Sequence, residues 1–232
     1  MSSPLSRSET LPFSSWGVSC FRIVLDAIHV LTAADTVGSL IHETEAQCLK
    51  RYAALVDRVA VEIGTFRGGS AAVITSSLAK GATLISIDPY VRDSMVPSLR
   101  GSLLLAWLNV LRHGRIRQVS FIRGYSHEVV RTWKRPIDLL WIDGSHKYED
   151  AKRDFLDWSG YVVKNGYLIF HDSNRINMSD DQEFDNGWVG PTKVCLEIKE
   201  RMKHEYEHVE SVRSINIFRK LIPPVQTGMR HS

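Results

Sequence analysis

Short segments made almost wholly of apolar residues recur along the chain, separated by more polar segments of helical length. The clearest run covers residues 137–142, and further strands are predicted at residues 58–63, 82–87, 119–122 and 166–170. Strands without alternating polar positions are buried on both faces, which is typical of a parallel sheet covered by helices. The repeated strand–helix alternation therefore predicts a doubly wound α/β fold.

This pattern predicts one main domain over residues 58–222, a length that α/β folds reach as a single unit. Further strand material near residues 209 and 214–218 completes a Rossmann-like, mostly parallel seven-stranded sheet with helices on both faces. Outside it we predict three segments. Residues 1–15 form a Ser- and Pro-rich disordered tail, and residues 223–232 form a flexible C-terminal tail. Residues 16–57 form extra N-terminal helices, the first over residues 18–33 and the second over 43–56.

Charge and cysteine usage favour a soluble cytoplasmic protein. The formal net charge is only +3, which gives no reason to expect a nucleic-acid or membrane partner. Cys20, Cys48 and Cys195 lack metal-ligand or redox spacing, as expected in a reducing compartment. Residues 1–15 contain no apolar core of a signal peptide, and charged residues interrupt residues 16–33.

A glycine-rich turn follows the first predicted strand, in the sequence Glu62-Ile63-Gly64-Thr65-Phe66-Arg67-Gly68-Gly69-Ser70. Such a turn lets a ligand approach the backbone, and the following helix N-terminus attracts an anion. Its spacing differs from that of a pyrophosphate-binding turn, and Glu62 would repel a diphosphate. Glu62 could instead pair with an ammonium group.

Asp88 ends the second predicted strand, where an acidic residue can accept hydrogen bonds from both ribose hydroxyls. Together with the turn at Gly64, it favours a nucleoside that carries an amino acid. The alternative is an ordinary sheet in which this Asp caps a helix.

Two more carboxylates follow the fourth and fifth strands. Asp143 and Asp172 should meet at one sheet edge, where they repel each other unless a proton or a cation lies between them. A divalent cation with oxygen ligands would satisfy both. The alternative is that Asp172 is a turn residue.

Residues 61–70 and 85–90 resemble motifs I and II of class I S-adenosylmethionine (SAM)-dependent methyltransferases. The resemblance implies SAM as the cofactor, with its methionine part near Glu62, its ribose at Asp88 and its adenine beside residues 124–126. The implied cofactor-binding residues are Glu62, Gly64, Thr65, Phe66, Gly68, Ser70, Asp88, Gly124, Tyr125, Ser126 and Asp143.

Residues 137–174 resemble the bacterial cephalosporin-hydroxylase and macrocin-type O-methyltransferases, and their layout is similar to catechol O-methyltransferase. The resemblance implies Mg²⁺ held by Asp143 and Asp172. The relatives usually carry a second adjacent metal-binding group after strand five, whereas here His171 and Ser173 flank Asp172, so the third ligand stays open between these two. A His ligand would favour a transition metal.

His146 lies three residues after Asp143, at the spacing where the catechol enzyme has a proton-accepting Lys. A His can accept a proton at neutral pH, so we hypothesise that His146 is the general base and that Asp143 shares the catalytic site. The alternative is a helix-start residue that is hydrogen-bonded to the backbone.

The expected reaction is methyl transfer to a hydroxyl of a sugar, including mannoside-type saccharides, or of another small polar metabolite. Residues 173–190 form a long polar loop at the catalytic edge, with Phe184 and Trp188, and we predict a lid or, alternatively, a disordered segment.

A homodimer is implied by relatives. The alternatives are an RNA methyltransferase, which should carry a larger basic surface, and a non-catalytic SAM-binding protein.

Overall fold

The computed structural model describes residues 24, 25, 28, 40–91, 100–178 and 186–224. Its α-helices are α1 to α6, at Glu43–Ala53, Gly69–Ser77, Leu103–His113, Ser126–Val129, Tyr148–Trp158 and Val189–Arg201. Its strands are β1 to β7, at Val59–Ile63, Thr83–Asp88, Val119–Arg123, Ile137–Ile142, Val162–Phe170, Tyr206–Val212 and Ile215–Lys220. Short 3₁₀ turns lie at Ile116–Gln118, Val130–Thr132 and Ser159–Tyr161.

The strands form one seven-stranded sheet in the order β3-β2-β1-β4-β5-β7-β6. Strands β1 to β5 pair in parallel, whereas β7 is antiparallel to both β5 and β6. The predicted doubly wound, mostly parallel fold is confirmed. The strand order reverses between β1 and β4, and ligands of such sheets bind outside the carboxyl ends of the strands at this point.

The register of the parallel strands brings their carboxyl ends to one edge. Ile63 of β1 pairs with Ile87 of β2 and with Ile142 of β4, and Ile142 pairs with Phe170 of β5. The residues that follow these four positions therefore meet at the same edge of the sheet.

Hydrophobic side chains pack on both faces of the sheet, as the continuous apolar strands predict. On one face Phe155 and Trp158 of α5 pack over Leu140 and Phe170. On the other face Leu49 of α1 packs with side chains that include Trp141, Ile169 and Ile217. Both layers fix the helices that carry site residues.

The sequence pattern also predicts helices over residues 69–80, 98–112 and 126–133, and several of these boundaries differ in the structure. Helix α2 ends at Ser77, well before Gly81, because Leu78 adopts an extended conformation and is buried in the core. Helix α3 begins at Leu103 rather than at residue 98, because the Ser102 hydroxyl caps it by accepting from the Leu105 amide.

The helix predicted over residues 126–133 is the short α4 followed by a 3₁₀ turn, and β5 starts at Val162 rather than at residue 166. The N-terminal tail and most of the first N-terminal helix, predicted over residues 18–33, lie outside the described residues, as does the C-terminal tail from residue 225. Within the described residues no helix is long and apolar enough to cross a membrane.

Candidate active site

A cavity of about 740 Å³ opens at the carboxyl edge of the sheet. Its walls come from the segments that follow β1, β2, β3, β4 and β5, together with α5 and the start of α6. Cavities of this size hold small-molecule ligands. The cavity is therefore the candidate binding and active site.

The turn after β1 brings backbone close to backbone. Gly64 has φ +93°, and a Cβ atom built on it would lie 2.0 Å from the carbonyl oxygen of Asp143. A side chain at this position is therefore excluded both by the left-handed conformation and by the contact. The same turn places Thr65, Phe66 and Ser70 in the cavity wall.

The Asp88 carboxylate lies at the cavity wall, where it accepts backbone hydrogen bonds. The amide of Phe66 donates to its Oδ2 atom over 2.7 Å, and the amide of Tyr90 donates to its Oδ1 atom. Burial raises the pKa of Asp88, although these hydrogen bonds act in the opposite direction. Each carboxylate oxygen has two acceptor positions, so both oxygens can still accept a hydrogen bond from a ligand.

Glu62 is fully buried and lies behind the cavity wall instead of lining it. Ser70 donates its hydroxyl hydrogen bond to Glu62 Oε1 over 2.5 Å, and Ser86 donates to Oε2. Burial raises the pKa of Glu62 to about 8. Direct pairing of Glu62 with a ligand ammonium is therefore blocked by Ser70, which itself faces the cavity. Gly68 also lies outside the wall, because it packs against Ala106.

The segment after β3 places Gly124, Tyr125 and Ser126 in the cavity wall. Ser126 donates a hydrogen bond to Oδ1 of Asp154 on α5. Asp154 is buried and also lines the cavity, and burial raises its pKa to about 6. Its helical spacing from Trp158 in the sequence predicts a structural role, whereas the structure places it at the cavity wall.

Asp143, His146 and Asp172 come together at the tips of β4 and β5. One ligand atom from each of these three residues lies within 4.8 Å of the others, a spacing that can hold a metal ion. His146 Nε2 is 3.2 Å from Asp172 Oδ2, and the His146 ring stacks on Trp188 at 5.3 Å between ring centroids. Asp172 has φ +50°, an uncommon conformation for a residue other than glycine.

His171 lies between carboxylates from three elements. Its Nδ1 atom is 3.0 Å from Asp143 Oδ1 and 3.6 Å from Asp172 Oδ1, and its Nε2 atom is 3.4 Å from Glu45 Oε2. Burial alone would lower the pKa of His171, but the charges of Asp143 and Asp172 raise it well above the usual range. These charges favour the protonated form of His171, whose ring links α1 to the catalytic edge.

The pKa of Glu45 itself is lowered. Burial opposes this shift, but hydrogen bonds from His171, from Ser214 and from the His42 backbone amide outweigh it and bring the pKa to about 2. Glu45 therefore stays ionised, and nothing in the local sequence identified it as part of the site.

The two residues proposed as third metal ligand face different ways. The Ser173 hydroxyl donates to the carbonyl oxygens of Phe170 and Ser214, away from Asp172, whereas His171 contacts Asp143. Among the described residues, the group with metal-ligand spacing includes His146 instead of either one.

The ends of the predicted lid loop are tied together. Ser173 and Gly187 form a β-bridge, and the Trp188 amide donates to the Asp172 carbonyl over 2.8 Å. Trp188 lines the cavity as predicted. Phe184 lies outside the described residues.

Comparison with known proteins agrees with this geometry. Residues 61–173 match a family model described as a methyltransferase domain. This part of the chain is thus similar to a methyltransferase domain. A protein of Acanthamoeba polyphaga mimivirus is 35% identical over 121 residues, which cover 50% of this chain and 52% of that protein. The chain thus spans about half the length of this curated relative.

Solved structures share the fold of the methyltransferase domain at low identity. The O-methyltransferase NovP has a TM-score of 0.63 and 15% identity, over 79% of this chain and 82% of that one. TomG of Streptomyces achromogenes, solved with SAM, has a TM-score of 0.58 and 14% identity, over 91% and 100%. An O-methyltransferase of Bacillus cereus, solved with S-adenosylhomocysteine (SAH), has a TM-score of 0.55 and 17% identity, over 91% and 94%.

Proposed function

We propose that the chain is a SAM-dependent O-methyltransferase that acts on a hydroxyl of a small polar acceptor, such as a sugar. The observation that carries the proposal is that a single cavity joins the Gly64 turn and Asp88 to the group of Asp143, His146 and Asp172. A cofactor and an acceptor held in one cavity react as neighbours, which supplies much of the rate of methyl transfer. The complexes of TomG with SAM and of the Bacillus cereus enzyme with SAH support the choice of cofactor.

The strand tips on the β1 side would hold SAM, which supplies an electrophilic methyl group on sulfur. Asp88 would accept hydrogen bonds from the ribose hydroxyls, and the Gly64 turn leaves room for the chain of the methionine part. The first amides of α2, at Gly69 and Ser70, line the cavity and suit the methionine carboxylate. Since the Ser70 hydroxyl donates to Glu62, its oxygen can accept from the ammonium group.

His146 would take the proton of the acceptor hydroxyl. Its Nε2 atom lies 3.2 Å from Asp172, so the imidazolium formed by proton transfer would have a carboxylate partner at once. Stacking on Trp188 holds the plane of the ring. This role uses side chains already in place and needs a His with access to the cavity, which His146 has.

The donor set fits a divalent cation, with Asp143 and Asp172 as the carboxylate ligands. Mg²⁺ prefers oxygen ligands and would leave the proton transfer to His146, whereas Mn²⁺ or another transition metal bound by the His146 imidazole would displace the general base. Such a cation would lower the pKa of an acceptor hydroxyl. The acceptor side of the cavity also carries Lys147 and Asp150, and polar walls beside Trp188 suit a hydroxylated acceptor.

Calorimetry with SAM and SAH, each with and without Mg²⁺ or Mn²⁺, tests the cofactor and the metal separately. We expect binding of both nucleosides, and then methyl transfer in a screen of hydroxylated acceptors with labelled SAM. Sugars, phenols and RNA belong in the same screen, so that labelled RNA would favour the alternative function. Absence of SAM and SAH binding would end the proposal.

Replacing His146 with Ala tests the general base. Removal of a positioned base costs about 10²- to 10⁴-fold in turnover, and we expect SAH affinity to stay within about threefold of the wild type. His204→Ala is the matched control, because the His204 side chain is 75% exposed and pairs with Glu205 at the surface. Near-normal turnover of His146→Ala would contradict the assignment.

A further inference from the structure

Helix α3 has an exposed apolar face besides its buried one. Its inward side chains, among them Leu105, Leu108 and Val110, are buried in the protein. Four outward side chains are apolar as well and are between 39% and 46% exposed: Leu103, Leu104, Trp107 and Leu111. A surface helix normally carries polar residues on its outer face, and contiguous exposed apolar residues mark a site of interaction with a protein or a membrane.

The apolar face continues across a groove onto β3, which is the edge strand of the sheet. The groove has a volume of about 640 Å³ and is lined by six apolar side chains: Leu103, Leu104, Trp107, Ile116, Val119 and Phe121. These six residues and Leu111 form the apolar patch. The indole N–H of Trp107 is the one hydrogen-bonding group that these side chains offer.

The chain around the apolar patch is strongly basic. Residues 94–127 contain five arginines and no aspartate or glutamate, although the formal net charge of the whole chain is only +3. All five of these residues are exposed: Arg100, Arg112, Arg115, Arg117 and Arg123. Arg115 and Arg117 flank Ile116 of the patch. Arg123 lies on the same face of β3 as Phe121, because side chains alternate along a strand. The patch is therefore an apolar surface with a basic rim.

The groove and the rim restrict what can cover the patch. A second copy of the chain, related by two-fold symmetry, would bring two basic rims together, and their like charges would repel each other. A protein partner would form a hydrogen bond for about every 100–200 Å² of interface, which the side chains of the groove cannot match. A membrane of anionic lipids offers phosphate groups to the arginines and acyl chains to the leucines and Trp107.

We propose that this face binds a membrane of anionic lipids: the apolar patch enters the acyl region, and the arginines of the rim contact the lipid head groups. Both ends of the patch lie beside the cavity wall, since Gly101 precedes α3 by two residues, Gly124 follows Arg123, and both glycines line the cavity. A membrane bound here would therefore lie next to the cavity. The inference is independent of the proposed function, because the groove and the cavity share no lining residue.

Co-sedimentation of the full chain with lipid vesicles tests the proposal. We expect binding to vesicles of phosphatidylcholine mixed with phosphatidylserine, and binding weaker by about tenfold or more to phosphatidylcholine alone. Binding to the anionic vesicles should fall as the salt concentration rises. Equal binding to both kinds of vesicle, or to neither, would overturn the proposal. Light scattering without vesicles measures the mass, and a dimer that dissociates in Trp107→Gln would show that a second copy covers this face, which would also overturn it.

Two variants separate the apolar contribution from the electrostatic one. Leu104→Gln combined with Trp107→Gln should weaken binding to the anionic vesicles by at least about tenfold, because burial of one large apolar side chain contributes a factor of that size. Arg117→Gln should weaken it by about fivefold, the contribution of one arginine near an anionic surface. Unchanged binding of both variants would place the lipid contact elsewhere on the molecule and overturn the proposal.

Leu156→Gln and Arg201→Gln are the matched controls. They make the same chemical changes at exposed residues of α5 and α6, which pack on the opposite face of the sheet from the groove. We expect their binding to stay within about twofold of the wild type. A thermal unfolding curve shows whether each variant is folded. If a patch variant does not fold, the comparison of the two kinds of vesicle with the wild type still decides the question.

Discussion

The two halves of the cavity hold their carboxylates in different ways. At the tips of β1 and β2, Glu62 and Asp88 accept hydrogen bonds from hydroxyls and backbone amides, and burial raises the pKa of both. At the tips of β4 and β5, burial would raise the pKa of Asp172, but the positive charge of His171 and the hydrogen bond with His146 lower it.

This difference indicates two ways of preparing a site. The β1 side depends on backbone geometry and keeps one acidic group at the cavity wall, Asp88, whose remaining acceptor positions a donating ligand would fill. The β4 side balances its own charges before any ligand arrives, and this balance extends through His171 to Glu45 on α1. Substitutions should therefore act through sterics on the first side and through electrostatics on the second.

The largest effect is expected for Gly64→Ala. The new Cβ atom would lie 2.0 Å from the Asp143 carbonyl oxygen, and the residue would keep φ +93°. Steric overlap and the left-handed conformation together should lower the free energy of unfolding by about 4 kcal/mol. Urea unfolding followed by circular dichroism measures the loss, and SAH binding should disappear with it.

Gly81→Ala separates the two causes. Gly81 has a nearly identical φ of +94°, but a Cβ atom there would meet nothing within 4 Å. It should cost about 1–2 kcal/mol, the conformational part alone. Equal losses in the two variants would show that the backbone contact between Gly64 and Asp143 contributes nothing.

A smaller loss, of electrostatic origin, is expected for Glu45→Gln. The pKa of Glu45 is about 2 in the folded protein, below its value of 4.5 in the unfolded chain. The resulting stabilisation, about 3 kcal/mol, is fully present above pH 4.5 and is lost as the pH falls toward 2. The variant should therefore be less stable than the wild type at pH 7, and the gap should narrow below pH 4.5.

Glu207→Gln is the control for Glu45→Gln. Glu207 pairs with Arg219 at the surface, where both side chains are more than 40% exposed. Exposed ion pairs contribute about 0–1 kcal/mol, so this variant should hardly change the unfolding curve. If the two variants behave alike at every pH, the buried network does not stabilise the fold.

The smallest effect, with the opposite sign, is expected for Asp154→Asn without ligand. Because burial raises the folded-state pKa of Asp154 to about 6, the wild type loses stability as the pH rises from about 4 to 6. An amide avoids the cost of charging, which is about 3 kcal/mol for this shift, but the cost of burying the amide offsets most of it, so the variant should gain about 1 kcal/mol at pH 7. A loss of stability would show that the carboxylate is satisfied inside the protein.

The sequence predicts the β1 side of the cavity better than the β4 side. Gly64 and Asp88 lie in a local motif whose spacing carries over directly to the fold, and the apolar strands fix the edge at which Asp143 and Asp172 meet. The role of Glu45 in the site cannot be predicted from the local sequence. Glu45 completes the capping box of α1, and its partner His171 is 126 residues away. No local pattern reports a contact over such a distance.

The position of Asp154 in the sequence pattern of α5 is unusual but does not identify its role. It occupies the buried stripe of α5 with Ala151, Phe155 and Trp158, and a carboxylate on an otherwise apolar helix face is uncommon. The stripe alone is compatible with a structural role. The opposing Ser126 and the cavity become visible only when α5 is placed against the end of β3.

The position of Glu45 has a consequence for where this protein begins as a working unit. Similarity to the methyltransferase family covers residues 61–173, and Glu45 and its partner Ser214 lie beyond either end. A chain trimmed to the recognisable segment would retain the acidic residues of the cavity and lose the counter-charge behind His171. The segment that matches the family model is thus shorter than the segment that neutralises the charges at the candidate active site.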